Sequence, residues 1–240
     1  MSRLGGWAAS SDPIVIERLA RSGFDFVAVD LQHGQFGLME AARALQILSL
    51  TGVPGYVRMS SLELAMLPHY LDFGATGIVV ANVDDAETAQ RAVQLSRFQP
   101  DGERSFAGAR FEILDHPADL GTIRPEIWPM IETRAGLEAC EAIAAVPGVT
   151  GLAIGPADLA RALDLHPRDR FANDGWNAAV RRILAAAKGA GIGSWQFSAD
   201  GVEARRWLDA GFDHVIISND LNLLARAARQ EIDIARSSQS

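Results

Sequence analysis

Eight short apolar runs with strand-like composition recur along the chain, and they constrain its fold more than any other feature. They cover residues 4–9, 24–30, 53–59, 76–82, 127–133, 150–156, 191–197 and 212–218. Segments with the apolar spacing of helices lie between them, and this alternation requires parallel strands joined by crossover helices. Eight such units in 240 residues predict an α/β fold, a (β/α)8 TIM barrel. The alternative, a doubly wound open sheet, would usually show a GxGxxG loop after its first strand, which the sequence GGWAASSDP lacks.

Residues 12–23 carry clear helix signals, with Asp12 as the N-cap, Pro13 at the first helical position and Gly23 as the stop. The same reasoning predicts helices within residues 84–96, 133–146, 175–191, 200–211 and 219–229. Residues 98–125 form a polar, Gly- and Pro-punctuated insertion, of a length typical of a lid, a binding loop or a subunit contact. No linker-like stretch divides the chain, so we predict a single domain over residues 1–240.

The composition excludes some classes of partner. The formal net charge is -8 and no basic run stands out, so nucleic acid is a poor candidate partner. No segment approaches the ~20 apolar residues of a membrane span, and the N-terminus has no signal-peptide pattern. We therefore expect a cytoplasmic protein that acts on small molecules. The one cysteine, Cys140, lies on the apolar face of a predicted helix and is interpreted as a core thiol.

In a parallel barrel, the C-terminal ends of the strands meet at one mouth, where the chemistry is carried out. Glu132 and Asp158 follow adjacent predicted strands, so their carboxylates can together hold a hard divalent cation, with water or substrate oxygens as the other ligands. The alternative is that Asp158 caps a helix and Glu132 is a solvated helix start. The other candidates at strand ends are Asp30, Gln32, His33, Arg58, Asn82, Asp84, Thr133, Arg134, Gly155, Pro156, Ala157, Gln196, Ser198, Ser218 and Asn219.

Two of these residues suggest acid–base and electrostatic roles. Arg58 ends an apolar strand, where a guanidinium can bind a carboxylate or stabilise a developing enolate. The alternative is a structural ion pair with Asp30 or Asp84. His33 can act as a general base near neutral pH, or it can be an ordinary surface residue of a loop. The remaining histidines have weaker contexts and are interpreted as structural: His69, His116, His166 and His214.

The motifs that contain these residues resemble the HpcH/HpaI family of metal-dependent class II aldolases that act on 2-oxo acids. The resemblance spans roughly residues 4–230 and rests on GGW, FDFVAVDLQHG, VRM, LDFGATGIVVANVDDAETA, QPDGERS, PMIET and GVTGLAIGPADLA. It implies that His33 is the catalytic base, that Arg58 stabilises the transition state and that Asp72 raises the basicity of the histidine. Because the family's site lies near subunit contacts, Asp72 would act across an interface.

The resemblance also implies how the ligands bind. Glu132 and Asp158 match the ligands of a divalent metal ion (Mg, Mn or Co). The segment Gly155, Pro156, Ala157 and Asp158 matches the one that binds the oxo acid, together with Arg58, and the backbone N–H of Ala157 would hold the substrate. The family further implies a homo-oligomer, a trimer or hexamer, with the C-terminal helix 219–229 as a candidate contact.

Two positions depart from the family pattern. Met130 stands where the family often has a substrate-contacting glutamine, and Gln32 replaces the glutamate of D-x-E-H-G. Neither change removes the predicted metal ligands or the base. A different preferred substrate is therefore expected rather than a loss of chemistry.

The expected activity is reversible aldol cleavage of a 4-hydroxy-2-oxo acid to pyruvate, or hydroxypyruvate, and an aldehyde. A Schiff-base mechanism is disfavoured because lysines are few and Lys188 lies at a predicted helix end. Two alternatives stay open. One is a Mg-dependent lyase of acyl-CoA thioesters related to citrate lyase, although the acidic chain shows no clear basic groove for CoA. The other is a barrel that binds a 2-oxo acid without turnover.

Overall fold

Eight parallel strands form a closed barrel in the computed structural model, which describes residues 2–106, 110–114, 116–117 and 119–237. The strands pair in chain order and β8 closes the barrel against β1, so the predicted TIM barrel is confirmed and the open sheet is excluded. They are β1 Arg3–Ala8, β2 Phe26–Asp30, β3 Gly55–Ser60, β4 Gly77–Ala81, β5 Glu126–Ile131, β6 Gly151–Ile154, β7 Gly193–Phe197 and β8 His214–Asn219.

Helices surround the barrel in the described part of the chain. They are α1 Pro13–Ala20, α2 Leu38–Thr51, α3 Leu67–Asp72, α4 Ala86–Ser96, α5 Arg134–Glu138, α6 Cys140–Ala144, α7 Pro156–Ala162, α8 Asp174–Gly189, α9 Gly201–Asp209 and α10 Asp220–Ser237. Short 3₁₀ turns cover Ser61–Met66, Phe111–Ile113, Leu120–Thr122 and Arg170–Ala172. None of the helices within the described residues is long and apolar enough to cross a membrane.

The helix signals read from the sequence hold for α1, α4, α8 and α9 and need correction for the segment 133–146 and for the C-terminal helix. The Asp12 side chain accepts hydrogen bonds from the backbone N–H groups of Ile14 and Val15, and Pro13 is the first helical residue. The segment 133–146 is two short helices rather than one, because the backbone at Ala139 leaves the helical region. The C-terminal helix extends past residue 229 to Ser237. Cys140 is buried, as predicted.

Aromatic rings fill the barrel interior below the mouth. The rings of Phe26, Tyr56, Trp128 and Trp195 pack edge to face, with neighbouring centroids 4.9 to 5.3 Å apart. Aromatic pairs in this geometry add to the free energy gained by burying the rings. The barrel interior at this level is therefore a packed core, and Trp195 also lines the cavity at the mouth.

A polar network lies at the opposite end of the barrel from the mouth. Arg3 Nη1 donates to the Tyr56 hydroxyl at 3.2 Å and lies 3.3 Å from His214 Nε2. The Tyr56 hydroxyl and the Trp128 indole N–H both donate to Glu126 Oε2, each at 2.9 Å. Burial lowers the pKa of His214 to about 4, and the positive charge of Arg3 acts in the same direction. His214 is thus a neutral, partly buried imidazole far along the strands from the mouth.

The insertion 98–125 is anchored to α3 by Arg104. Its Nη2 donates to Asp72 Oδ1 at 2.6 Å, and the guanidinium lies over the rings of Phe98 and Phe111, 4.5 and 5.4 Å from their centroids. Residues 107–109, 115 and 118 of the insertion lie outside the described residues. Its predicted use as a lid, a binding loop or a subunit contact stays a prediction.

Candidate active site

A cavity of about 370 Å³ opens at the C-terminal ends of the strands. This is the end at which TIM-barrel enzymes carry their active sites. Its walls combine acids, a histidine and two arginines with apolar rings. The residues that line it are Trp7, Asp30, His33, Arg58, Met130, Glu132, Ile154, Gly155, Pro156, Ala157, Asp158, Arg170, Trp195, Phe197, Ala199 and Asn219.

Asp30 organises the exit of β2. Its carboxylate accepts two bonds from Arg58, at 2.8 Å from Nε and 2.7 Å from Nη2, and one from the Trp7 indole N–H at 3.1 Å. It also accepts the backbone N–H groups of Gln32 and His33, both at 3.1 Å. Burial alone would raise the pKa of Asp30, but the hydrogen bonds and charge of Arg58 outweigh it and the pKa lies below its ordinary value. An ionised carboxylate therefore fixes both the arginine and the loop that carries His33.

Arg58 forms an ion pair and also lines the cavity. Its side chain is only 10% exposed and makes the paired contact with Asp30, so the ion pair considered from the sequence does form. The same side chain lines the cavity, and its Nη1 atom carries no hydrogen bond to a described residue. Arg58 lies 5.2 Å from the centre of the Trp7 ring. This geometry holds one guanidinium N–H edge ready for an anionic oxygen.

Glu132 is a buried acid, not a solvated helix start. It is 2% exposed and follows β5 directly. Its Oε1 accepts the backbone N–H of Asn82 at 2.8 Å, and a Cβ added at Gly155 would come within 2.0 Å of its Oε2. Burial, with a smaller contribution from the charge of Asp158, raises the pKa of Glu132 to about 6, against the opposing effect of the bond from Asn82. Only glycine at position 155 leaves room for this carboxylate.

Asp158 lies in the first turn of α7, and it is exposed at the cavity rim. No side chain caps α7, whose N-cap is Gly155, so the alternative role of Asp158 as a helix cap is wrong. The pair Glu132 and Asp158 supplies two carboxylates to one cavity. Within the described residues, no group of three or more His, Cys, Asp and Glu side chains is arranged to hold a metal ion. A divalent cation here would therefore need substrate or water oxygens as further ligands, which suits Mg²⁺ and its preference for retained waters.

His33 and Asp72 are not brought together within one chain. The His33 ring lines the cavity and is exposed. Asp72 is the last residue of α3, lies outside the cavity lining and is paired with Arg104. Its predicted action on a histidine across a subunit interface stays a prediction.

Comparison with known proteins decides the family. A family model described as HpcH/HpaI aldolase/citrate lyase matches residues 3–227. The chain belongs to this HpcH/HpaI family. A hydroxypyruvate/pyruvate aldolase of Deinococcus radiodurans is 36% identical over 237 residues, which are 95% of this chain and 83% of the relative. A second, from Paraburkholderia phytofirmans, is 33% identical over 248 residues, or 97% and 93% of the two chains.

Solved structures agree with these sequence relatives. An HpcH/HpaI aldolase/citrate lyase family protein from Burkholderia cenocepacia superposes with a TM-score of 0.89 at 30% identity, covering 98% of this chain and 95% of that one. The named relatives are aldolases, which are carbon–carbon lyases. The resemblance stated from the motifs is confirmed, and so is the prediction that the chain is an enzyme of this class.

The structure shows the contacts of Met130 and Gln32, the two residues that depart from the HpcH/HpaI pattern. The Met130 side chain lines the cavity and packs with the interior aromatic rings, so an apolar surface replaces the family's amide. Gln32 Nε2 donates to Asn82 Oδ1 at 3.1 Å, so its amide bridges the exits of β2 and β4. A glutamate at position 32 has no N–H to donate to that oxygen.

Several residues that line the cavity were not identified as site candidates from the sequence. Trp7 and Phe197 form an apolar wall, with ring centroids 5.6 Å apart. Trp7 stands in the quoted motif GGW, which was the one available signal. Arg170 reaches the cavity from the connection between α7 and α8 and pairs with Glu203 at 2.8 Å. No strand-end pattern could have found it.

Some of the strand-end candidates predicted from the sequence do not line the cavity. Gln196 is buried between the cavity residues Trp195 and Phe197 along β7, and side chains alternate in direction along a strand. Asn219 does line the cavity, but Ser198 and Ser218 do not.

Lys188 is the one lysine in the sequence. It lies near the end of α8, beside Gly191 and Asp213, and does not line the cavity. The described cavity thus contains no amine that could form a Schiff base with a 2-oxo acid.

Proposed function

We propose that this enzyme is a divalent-metal-dependent class II aldolase, which reversibly cleaves a 4-hydroxy-2-oxo acid to pyruvate, or hydroxypyruvate, and an aldehyde. The observation that carries the proposal is that Glu132, Asp158, Arg58 and His33 line one cavity above an apolar floor. The relatives named hydroxypyruvate/pyruvate aldolases support the choice of donor.

Glu132 and Asp158 would hold the cation, which is Mg, Mn or Co in this proposal. Their fit rests on the structure: Glu132 is buried with Oε1 already bonded, and burial, together with the smaller effect of the nearby Asp158 charge, raises its pKa. A divalent cation removes this repulsion between carboxylates. When bound, it supplies Lewis-acid stabilisation to the enolate of the oxo acid.

Arg58 and His33 carry the remaining steps. In the cleavage direction His33 accepts the proton of the 4-hydroxyl group, the C3–C4 bond breaks and its electron pair forms the enolate of the oxo acid. The aldehyde carries away C4. Arg58 places fixed positive charge against the enolate oxygen, held by Asp30 in a geometry that needs no reorganisation during the reaction. A proton returned to C3 then completes pyruvate.

The backbone at the start of α7 is proposed to hold the acid end of the substrate. Gly155, Pro156 and Ala157 line the cavity beside Asp158. The first backbone N–H groups of a helix lack intrahelical acceptors and favour anionic oxygens. We propose that the N–H of Ala157 binds the carboxylate of the oxo acid.

An acyl-CoA thioester lyase is the competing chemistry within the same family. CoA phosphates would need unpaired cations near the cavity. Both arginines that line the described cavity are paired with acids, Arg58 with Asp30 and Arg170 with Glu203, and the one N–H edge that Arg58 keeps for an anion is assigned to the enolate in this proposal. We therefore expect no CoA binding by calorimetry, and micromolar binding of CoA would favour the lyase.

The proposal is tested by measuring pyruvate release from a 4-hydroxy-2-oxo acid with added Mg²⁺ or Mn²⁺, coupled to lactate dehydrogenase. The double variant Glu132→Gln/Asp158→Asn keeps the size of both side chains and should lose metal binding and activity while remaining folded. Asp164→Asn is the matched control, because Asp164 is an exposed acid outside the cavity lining. Metal-stimulated activity retained by the double variant would contradict the proposed ligands.

A further inference from the structure

Asn82 has an unusual backbone conformation directly beside the proposed metal site. Its φ is 56°, and among the described residues only Asp164 is another non-glycine with positive φ. Asparagine tolerates the left-handed region better than most residues, and such outliers are often found at functional sites. The conformation follows immediately after β4, at the mouth of the barrel.

The backbone N–H and the backbone carbonyl of Asn82 both make hydrogen bonds to side chains. Its N–H donates to Glu132 Oε1 at 2.8 Å, and its carbonyl accepts the Ser61 hydroxyl at 3.0 Å. Its side-chain oxygen accepts Gln32 Nε2 at 3.1 Å. Three neighbouring strand exits therefore fix one strained residue, and that residue bonds one oxygen of Glu132.

The other side of Glu132 is bounded by Gly155. A Cβ at this position would lie 2.0 Å from Oε2 and 2.7 Å from the Glu132 Cβ. The carboxylate is thus bonded by the Asn82 backbone at Oε1 and closely approached by the Gly155 backbone at Oε2. Rotation of the carboxylate would break the Asn82 bond, so the Asn82 N–H would lose its acceptor and the buried Glu132 carboxylate its donor.

We propose that Asn82 is a positioning residue, whose left-handed backbone fixes Glu132 Oε1 so that Oε2 is the oxygen presented to a divalent cation. This inference rests on the proposed function, in which Glu132 is a metal ligand. The side chain of Asn82 matters mainly because it permits the conformation. The N–H of the backbone is the group that acts.

The test is the Kd for Mn²⁺ by calorimetry, measured in the wild type and in a pair of variants at position 82. Asn82→Gly keeps the N–H and permits the left-handed backbone, so its Kd should stay near the wild-type value. Asn82→Val disfavours that conformation, because its side chain is β-branched. It should weaken Mn²⁺ binding by about 10- to 100-fold, as is typical when a residue that orients a metal ligand is lost.

Asp164→Val is the matched control for backbone strain. Asp164 has φ 61° and an exposed contact with Arg134, and it lies outside the cavity lining. This variant should lower the melting temperature comparably to Asn82→Val and leave the Mn²⁺ Kd unchanged. Circular dichroism establishes that each variant is folded before its Kd is compared.

The outcomes separate this inference from the proposed function. If the wild type binds no Mn²⁺, the proposed metal site is wrong and the role of Asn82 falls with it. If the wild type binds and folded Asn82→Val binds equally well, only the positioning role is wrong. If Asn82→Gly loses as much affinity as Asn82→Val, the side-chain amide acts instead of the backbone, which also overturns the inference.

Discussion

The candidate catalytic residues of this site are held in position by hydrogen bonds to a neighbouring residue, Asp30. Asp30 holds the guanidinium of Arg58 by two hydrogen bonds and the loop of His33 by a third, from its backbone N–H. Arg58 and His33 could be identified as candidates because Arg58 lies near the end of one predicted strand and His33 follows another. The bond geometry could not, because a strand end predicts which side chains meet but not which atoms pair.

The substitution Arg58→Lys should reduce kcat about 100-fold, as expected when one preorganised donor to a developing oxyanion is lost. Lysine keeps the charge but cannot make paired bonds to Asp30 while facing substrate. Steady-state pyruvate release measures the effect, and thermal unfolding shows whether the fold persists. Arg21→Lys is the control, since Arg21 pairs with Glu17 at an exposed site. An unchanged kcat in Arg58→Lys would contradict the role given to Arg58.

His214 should make the fold less stable in mild acid. Its pKa is about 4 in the folded protein because of burial, against about 6.5 in an unfolded chain. The unfolded state therefore binds more protons between these values. The stability that the neutral imidazole contributes is fully present above pH 6.5 and is lost as the pH falls towards 4.

The loss from His214 should amount to about 1–2 kcal/mol in the free energy of unfolding between pH 7.5 and pH 5. Urea unfolding at the two pH values measures it. In His214→Gln, which keeps an acceptor for Arg3 but does not titrate, this part of the pH dependence should disappear. An equal pH dependence in both proteins would show that His214 titrates normally when folded.

The elements of the barrel explain which parts of the site could be anticipated. The alternation of strands and helices predicted a single mouth, and Glu132 and Asp158 do line one cavity there. Gln196 failed as a candidate because it falls between the cavity residues Trp195 and Phe197 along β7. Arg170 was missed because it belongs to a connection, and tertiary packing, not periodicity, brings a connection to a cavity.

The helix α10 offers an apolar surface for the predicted oligomer. Leu221, Leu224 and Ile232 are exposed on this 18-residue helix. We expect the wild type to sediment or scatter light as a trimer or hexamer. The substitutions Leu221→Glu and Leu224→Glu together should lower that mass, because an interface does not readily bury unpaired charge.

Val202→Glu is the control for this measurement. Val202 is also an exposed apolar residue but lies on α9, so its replacement should leave the mass unchanged. A wild-type protein that is monomeric at micromolar concentration would contradict the oligomer itself. A mass unaffected by the α10 changes would contradict only the location of the contact.

In the molecule as a whole, the residues that pack the barrel interior and the residues proposed to carry out the reaction lie at different ends of the barrel. Aromatic rings and the Arg3 network fill the lower part, whereas acids, His33 and Arg58 surround the open mouth. The family and enzyme class could be inferred from the motifs because several of these motifs contain residues that line the mouth. The left-handed backbone at Asn82 was not foreseen, because φ depends on the hydrogen bonds that three strand exits make around it.

We propose that the cavity as a whole forms the enolate of a 2-oxo acid with a divalent cation held by Glu132 and Asp158. The most direct measurement is exchange of the C3 protons of pyruvate in deuterated water, followed by NMR, with Mg²⁺ or Mn²⁺ and then with EDTA. It needs no knowledge of the aldehyde. We expect exchange that requires the metal and stops with EDTA. Exchange that persists in EDTA, or none with pyruvate or hydroxypyruvate in a folded, metal-bound protein, would contradict it.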